Sequence, residues 1–187
     1  MFVDGRPFAP AQMQRLAREV NVAETVFLLP ATGGGDVRVR IFTPLAELPF
    51  AGHPVLGTAF VVGAALGADA VTLETGAGLV PIALERDGDR IVFGWMRQPI
   101  PSWQPYERTA ELLAALGAQR PGPLAIHLAR HGRIGFGEQI EIRPGAEIGR
   151  PSVLYATVVG EGDRIDSVEV GGTALIVAEG RFRITPG

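Results

Sequence analysis

Cysteine is absent from all 187 residues, and so is lysine: each of the 17 basic side chains is an arginine. The first absence excludes a disulfide framework and thiol chemistry. The second removes Schiff-base catalysis, covalent attachment of pyridoxal phosphate and the lysine of a phosphate-binding loop. Serine is scarce, at positions 102, 152 and 167 only, and none lies in a G-x-S-x-G elbow, so serine-nucleophile catalysis has no support. No basic tract occurs, and a net charge of -3 with a pI near 5.6 argues against a nucleic-acid partner. The opening MFVDGRPFAP lacks the basic-then-apolar order of a secretory signal. Leu48 to Ala68 carries no charge, but Pro49, Gly52, Pro54 and Gly57 confine any helix to its later part. That helix falls short of the roughly 20 apolar residues a membrane span needs. A cytoplasmic protein with no membrane partner is expected.

The residues that are present describe a well-packed chain. Hydrophobic residues make up 47%, too many for disorder, while 25 glycines and 15 prolines mark frequent turns. PAQMQRLAREV (10–20) places Met13, Leu16, Ala17 and Val20 at helical spacing and stops at Asn21. ETVFLLP and VRVRIFTP read as two strands of a hairpin closed by ATGGGD. A helix is expected from about Pro54 to Leu66, with proline at its first position and His53 as its N-cap. It is apolar on every side, so other elements must surround it. AVTLET, LVPIALER and RIVFGWM supply strands for that purpose, suggesting a sheet or barrel rolled around the helix. PIPSWQPY (99–106) reads as a linker. Beyond it come the short helix RTAELLAALG and a second apolar helix, GPLAIHLARHG, ending at Gly132. QIEIRPG, IGRPSVLYATVVG, DSVEVGG, TALIVAEG and RFRIT follow, all strand-like. The order recurs between halves, consistent with two similar lobes.

Glu24 is the most informative carboxylate. Strand alternation puts it on the same side as Val26 and Leu28, and both sides of that strand are apolar. Desolvation there disfavours the charged carboxylate and makes it a competent general base near neutral pH. Pairing with Arg38 or Arg40 of the next strand is the alternative. His53, at a helix N-terminus, is disfavoured in its protonated form, and the amides around Gly52 can receive a carboxylate. A backbone-capping role is the plainer reading of His53. His127 and His131 stand four apart, a spacing that can ligate zinc, but the intervening LAR lacks the glutamate of an H-E-x-x-H site, so no metal is expected. GGGD (33–36) opens no helix and reads as a turn.

QMQRLAREVNVAETVFL followed by RVRIFTPLAELPFAGHPVLGTA resembles the first lobe of the phenazine-biosynthesis isomerases, the PhzF-like family. GPLAIHLARHGRIGFGEQIEIRPGAEIGRPS is similar to their second lobe. The resemblance implies an α+β fold of the diaminopimelate-epimerase type: two lobes, each a sheet or barrel around a central apolar helix, with the active site between them. It places the first lobe at residues 1–103 and an incomplete second lobe at 104–187. It also implies a homodimer, no cofactor, and a small substrate carrying a carboxylate. The family chemistry isomerises trans-2,3-dihydro-3-hydroxyanthranilate: a glutamate takes an allylic ring proton and returns it further along the conjugated system, and the resulting enol relaxes to a ketone. By motif that glutamate is Glu24 of NVAET, with Gly52 and His53 of FAGHP holding substrate. Two departures stand out. The chain begins after the place of the family's first strand and Gly-Asn-Pro segment. A larger piece is absent between TAELLAALG and GPLAIHLARHG, where the family has several strands and a D-x-A-T-G-S-A motif and this chain reads AQRPGPLA. A shortened, silent homologue that dimerises or binds a small carboxylate is therefore the second reading.

Overall fold

The computed structural model describes residues 1–100, 129, 132–143, 149 and 151–181. Helix α1 (Pro10–Val20) buries Met13 and Ala17, and Gln12 closes its first turn by accepting the Ala9 N–H at 2.9 Å. It ends where expected, at Asn21 in the left-handed region (φ 51°). Helix α2 (Gly52–Leu66) starts two residues earlier than the sequence suggested. Ala51, extended at φ -150°, is the N-cap, so His53 is not the cap but lies inside the first turn. The shift costs nothing, because Pro54 still falls among the residues whose N–H has no acceptor within the helix. Among the described residues, no helix is long and apolar enough to cross a membrane.

Among the described residues, nine strands form one sheet: β1 (Thr25–Pro30), β2 (Val37–Phe42), β3 (Glu47–Leu48), β4 (Ala70–Thr75), β5 (Gly78–Asp87), β6 (Arg90–Gln98), β7 (Gln139–Ile142), β8 (Leu154–Glu161) and β9 (Arg164–Gly172). Their order is β1-β2-β4-β5-β6-β9-β8-β7, with β3 beside β2. Only the β2–β4 pairing is parallel among these strands. The first five strands of that order roll around α2. Val26 of β1, Val39 and Ile41 of β2, Leu73 of β4, Ile82 and Leu84 of β5 and Met96 of β6 all join the core built on Val55, Leu56, Ala59 and Phe60. The fit is close: a Cβ on Gly63 would stand 2.2 Å from the Leu84 side chain. The other face of β1–β2 carries α1 and a cluster of Phe2, Phe8, Phe27 and Phe42, with Phe2 stacked on Phe27 at 4.7 Å.

The later strands extend the same sheet, because β6 pairs with β9 from Gly94↔Gly172 to Gln98↔Val168. Among the described residues their core is Ala129, helical and buried, with Val158 and Val168, and Ile134, Phe136, Ile165 and Val170 pack against it. Apart from Ala129 and Gly132 (φ 62°), the second apolar helix lies outside the described residues, as do RTAELLAALG and all of RFRIT but Arg181. One expected strand is absent. TALIVAEG (173–180) carries no regular structure, and Leu175, Ile176 and Val177 stand exposed. β-Propensity alone does not make a strand, and no described neighbour offers these residues a ladder beyond Gly172.

Candidate functional site

The strand directions bring the site together. With β1 antiparallel to β2, β2 parallel to β4, and β4, β5 and β6 successively antiparallel, the start of β1 and the end of β6 lie at the same end of the roll. The N-terminus of α2 opens at that end, since Gly52 approaches Met96 and Gln98 of β6. Glu24 immediately precedes β1, on the side of Val26, which packs against α2. Sequence alternation therefore places this carboxylate correctly.

Glu24 Oε2 lies 2.9 Å from His53 Nε2. The two side chains are unequally wet: Glu24 is 18% exposed and His53 76%. The approach is close enough for an ion pair yet is not that of a formed hydrogen bond, so Oε2 stays buried without one. A buried oxygen in that position is costly unless something donates to it. The structure thus brings two of the expected residues into contact and adds the third beside them. Gly52 and His53 are the first two residues of α2, so their N–H groups have no acceptor within the helix. No acidic residue sits in that first turn, at the positive end of the helix dipole.

Among the described residues, neither alternative arginine pairs with Glu24. Arg40 makes a double hydrogen bond to Glu47 (2.7 and 2.6 Å), and Arg38 alternates with the inward-facing Val37 and Val39. A cleft of about 330 Å³ between β2, β3 and β4 is lined by Arg38, Arg40, Glu47, Pro49 and Thr75, and does not include Glu24 or His53. His127 and His131 lie outside the described residues.

The glycine-rich turn has an occupant that sequence reading missed. Glu74 of β4 is 7% exposed, and its carboxylate accepts the N–H groups of Thr32, Gly33 and Gly35. These bonds, the one from Thr32 foremost, hold Glu74 below its usual carboxylate range. The turn amides that could cradle a phosphate are therefore satisfied by the chain's own side chain. The available signal was a carboxylate inside an otherwise apolar strand, AVTLET.

A mixed α+β sheet rolled around an apolar helix defines an epimerase-type fold. Solved structures share it: one described as a predicted epimerase from Pseudomonas aeruginosa superposes with a TM-score of 0.70 at 24% identity, covering 95% of this chain and 92% of that one. A PhzF-family protein from Bacillus anthracis gives 0.66 at 18% identity, covering 91% and 88%. A probable proline racemase from Agrobacterium radiobacter gives 0.66 at 12%, covering 95% and 82%. The chain belongs to the phenazine biosynthesis-like (PhzC-PhzF) family, whose model matches residues 2–120 and 117–180. It is 39% identical to the trans-2,3-dihydro-3-hydroxyanthranilate isomerase of P. aeruginosa, covering 97% of this chain and 91% of that protein, and 36% identical to that of P. fluorescens (96% and 91%). The chain is thus an isomerase by family. The two matched pieces meet at 117–120, where the sequence places the missing stretch, and the P. aeruginosa alignment runs over 254 positions against 187 residues here.

Proposed function

We propose that this chain catalyses a cofactor-free proton shift on trans-2,3-dihydro-3-hydroxyanthranilate or a similar cyclic amino acid, with Glu24 as the acid/base. The observation that carries this reading is the buried, unsatisfied Oε2 of Glu24, 2.9 Å from His53 at the open end of α2. The Glu24 carboxylate takes an allylic ring proton, the electron pair moves along the conjugated system, and the same carboxyl returns the proton at the far carbon. Atoms and electrons balance without a redox partner, and the enol formed relaxes to the ketone. His53 covers the inner carboxylate from the solvent side and shuttles protons, while the Gly52 and His53 amides anchor the substrate carboxylate. The protein is expected to work as a cytoplasmic homodimer, which sedimentation at micromolar concentration checks.

Conversion of the purified substrate, followed chromatographically, tests the reading. Wild type should turn it over and Glu24→Gln should not; equal conversion by the two would remove Glu24 from the chemistry. The absent D-x-A-T-G-S-A stretch favours a second reading, a silent carboxylate-binding homologue. Under it, calorimetry with anthranilate gives heat while no product forms.

A further inference from the structure

A second polar side chain converges on the same helix end. Gln98 is the last residue of β6, and the strand directions put it at the same end of the roll as the start of β1, beside the N-terminus of α2. Its Nε2 lies 3.2 Å from the point that a Cβ on Gly52 would occupy, so glycine at 52 leaves the room the amide fills. The side chain is half-buried, and no described residue forms a hydrogen bond with its amide. An amide left unpaired in that setting forgoes the stabilisation a partner would give.

We infer that Gln98 contacts the substrate, its Nε2 joining the free N–H groups of Gly52 and His53 as a donor to the ring carboxylate while its Oε1 accepts from the neighbouring amine. This rests on the proposed reaction for the class of substrate. A cyclic β-amino acid of the anthranilate type presents a carboxylate and an amine on adjacent ring carbons. A primary amide offers a donor and an acceptor side by side, which suits that pair, and it adds no charge beside Glu24. With the second-lobe motif absent, the first half needs donors of its own to orient the substrate, and Gln98 supplies one from the β6 edge.

Calorimetry with anthranilate tests this on Gln98→Met, which keeps the shape and removes both hydrogen-bonding atoms, and on Gln98→Asn, which keeps the amide one methylene short. Losing the contact should weaken anthranilate binding by about tenfold in Gln98→Met, the value of one to two hydrogen bonds. Benzoate, which lacks the amine, should be weakened less. Turnover in the variant should show a raised KM with kcat largely kept, and thermal unfolding should match wild type. Wild-type affinity in both variants would overturn the assignment, as would failure of the wild type to bind anthranilate. A wild type that binds anthranilate and turns nothing over fails the proposed reaction and leaves the Gln98 comparison readable.

Discussion

Strands β1–β6 and strands β7–β9 belong to one sheet, but the cores described for them are finished to different degrees. Around α2, side chains from β1, β2, β4, β5 and β6 close a continuous core, and Val55 and Ala59 are fully buried. In β7–β9 the described core is Ala129, Val158 and Val168, and the chain beyond β9 leaves Val177 93% exposed. Both regions have strand-rich sequence, so composition does not separate them. What differs is how many described neighbours each strand has on which to spend its apolar face. Glu24 and His53 sit on the finished side, where α2 and the start of β1 bring them together. The proposed chemistry and the packing of the later strands can therefore be perturbed separately.

The sharpest separation comes from Glu24→Gln. It should lower turnover by about 10²–10⁴-fold, the usual contribution of a positioned general base, while the unfolding temperature stays near wild type. A large loss of stability with it would show Glu24 to be structural. Next in size, Leu73→Ala, deleting a fully buried side chain of β4, should cost about 2–5 kcal/mol by denaturant titration and unfold the acid/base region first. If hydrogen exchange instead showed β7–β9 opening first, the core around α2 would not be the stabilising unit.

Glu74→Gln probes the finished half through pH. Because folding lowers the Glu74 carboxyl below its ordinary 4.5, its contribution is present above that value and is lost as pH falls through the lowered one. Wild type should therefore unfold at a higher temperature than Glu74→Gln at pH 7, with the gap closing on acidification. A gap that persists at low pH would mean the ionised carboxylate is not what the turn amides recognise. The smallest effect belongs to the unfinished side. Leu175→Ser with Val177→Ser should shift stability by no more than about 0.5 kcal/mol per site in the monomer, because neither side chain is buried. A concentration-dependent loss would instead reveal those residues at an interface.

Much of this arrangement was legible in local sequence. The α1 boundaries followed from helical spacing and Asn21, the β1–β2 hairpin from alternation around a glycine turn, and the burial of Glu24 from the apolar faces of its strand. Its approach to His53, rather than to Arg38 or Arg40, depended on how the sheet rolls; local pattern did not carry it, and only the family resemblance set His53 facing Glu24. The start of α2 was missed because Ala51 caps through its backbone alone, leaving no side-chain signal. Glu74 escaped notice because its partners lie about forty positions away in the hairpin turn. TALIVAEG shows the converse error: a good strand sequence stays irregular where no ladder continues.

The account stands most directly on proton abstraction by Glu24, and exchange in heavy water measures that step even where isomerisation is slow. Incubated with trans-2,3-dihydro-3-hydroxyanthranilate and followed by NMR, the wild type should wash deuterium into the ring, and Glu24→Gln should leave it protonated. Equal deuterium in both samples, or none in either, would contradict the assignment of Glu24 as the working acid/base of this chain.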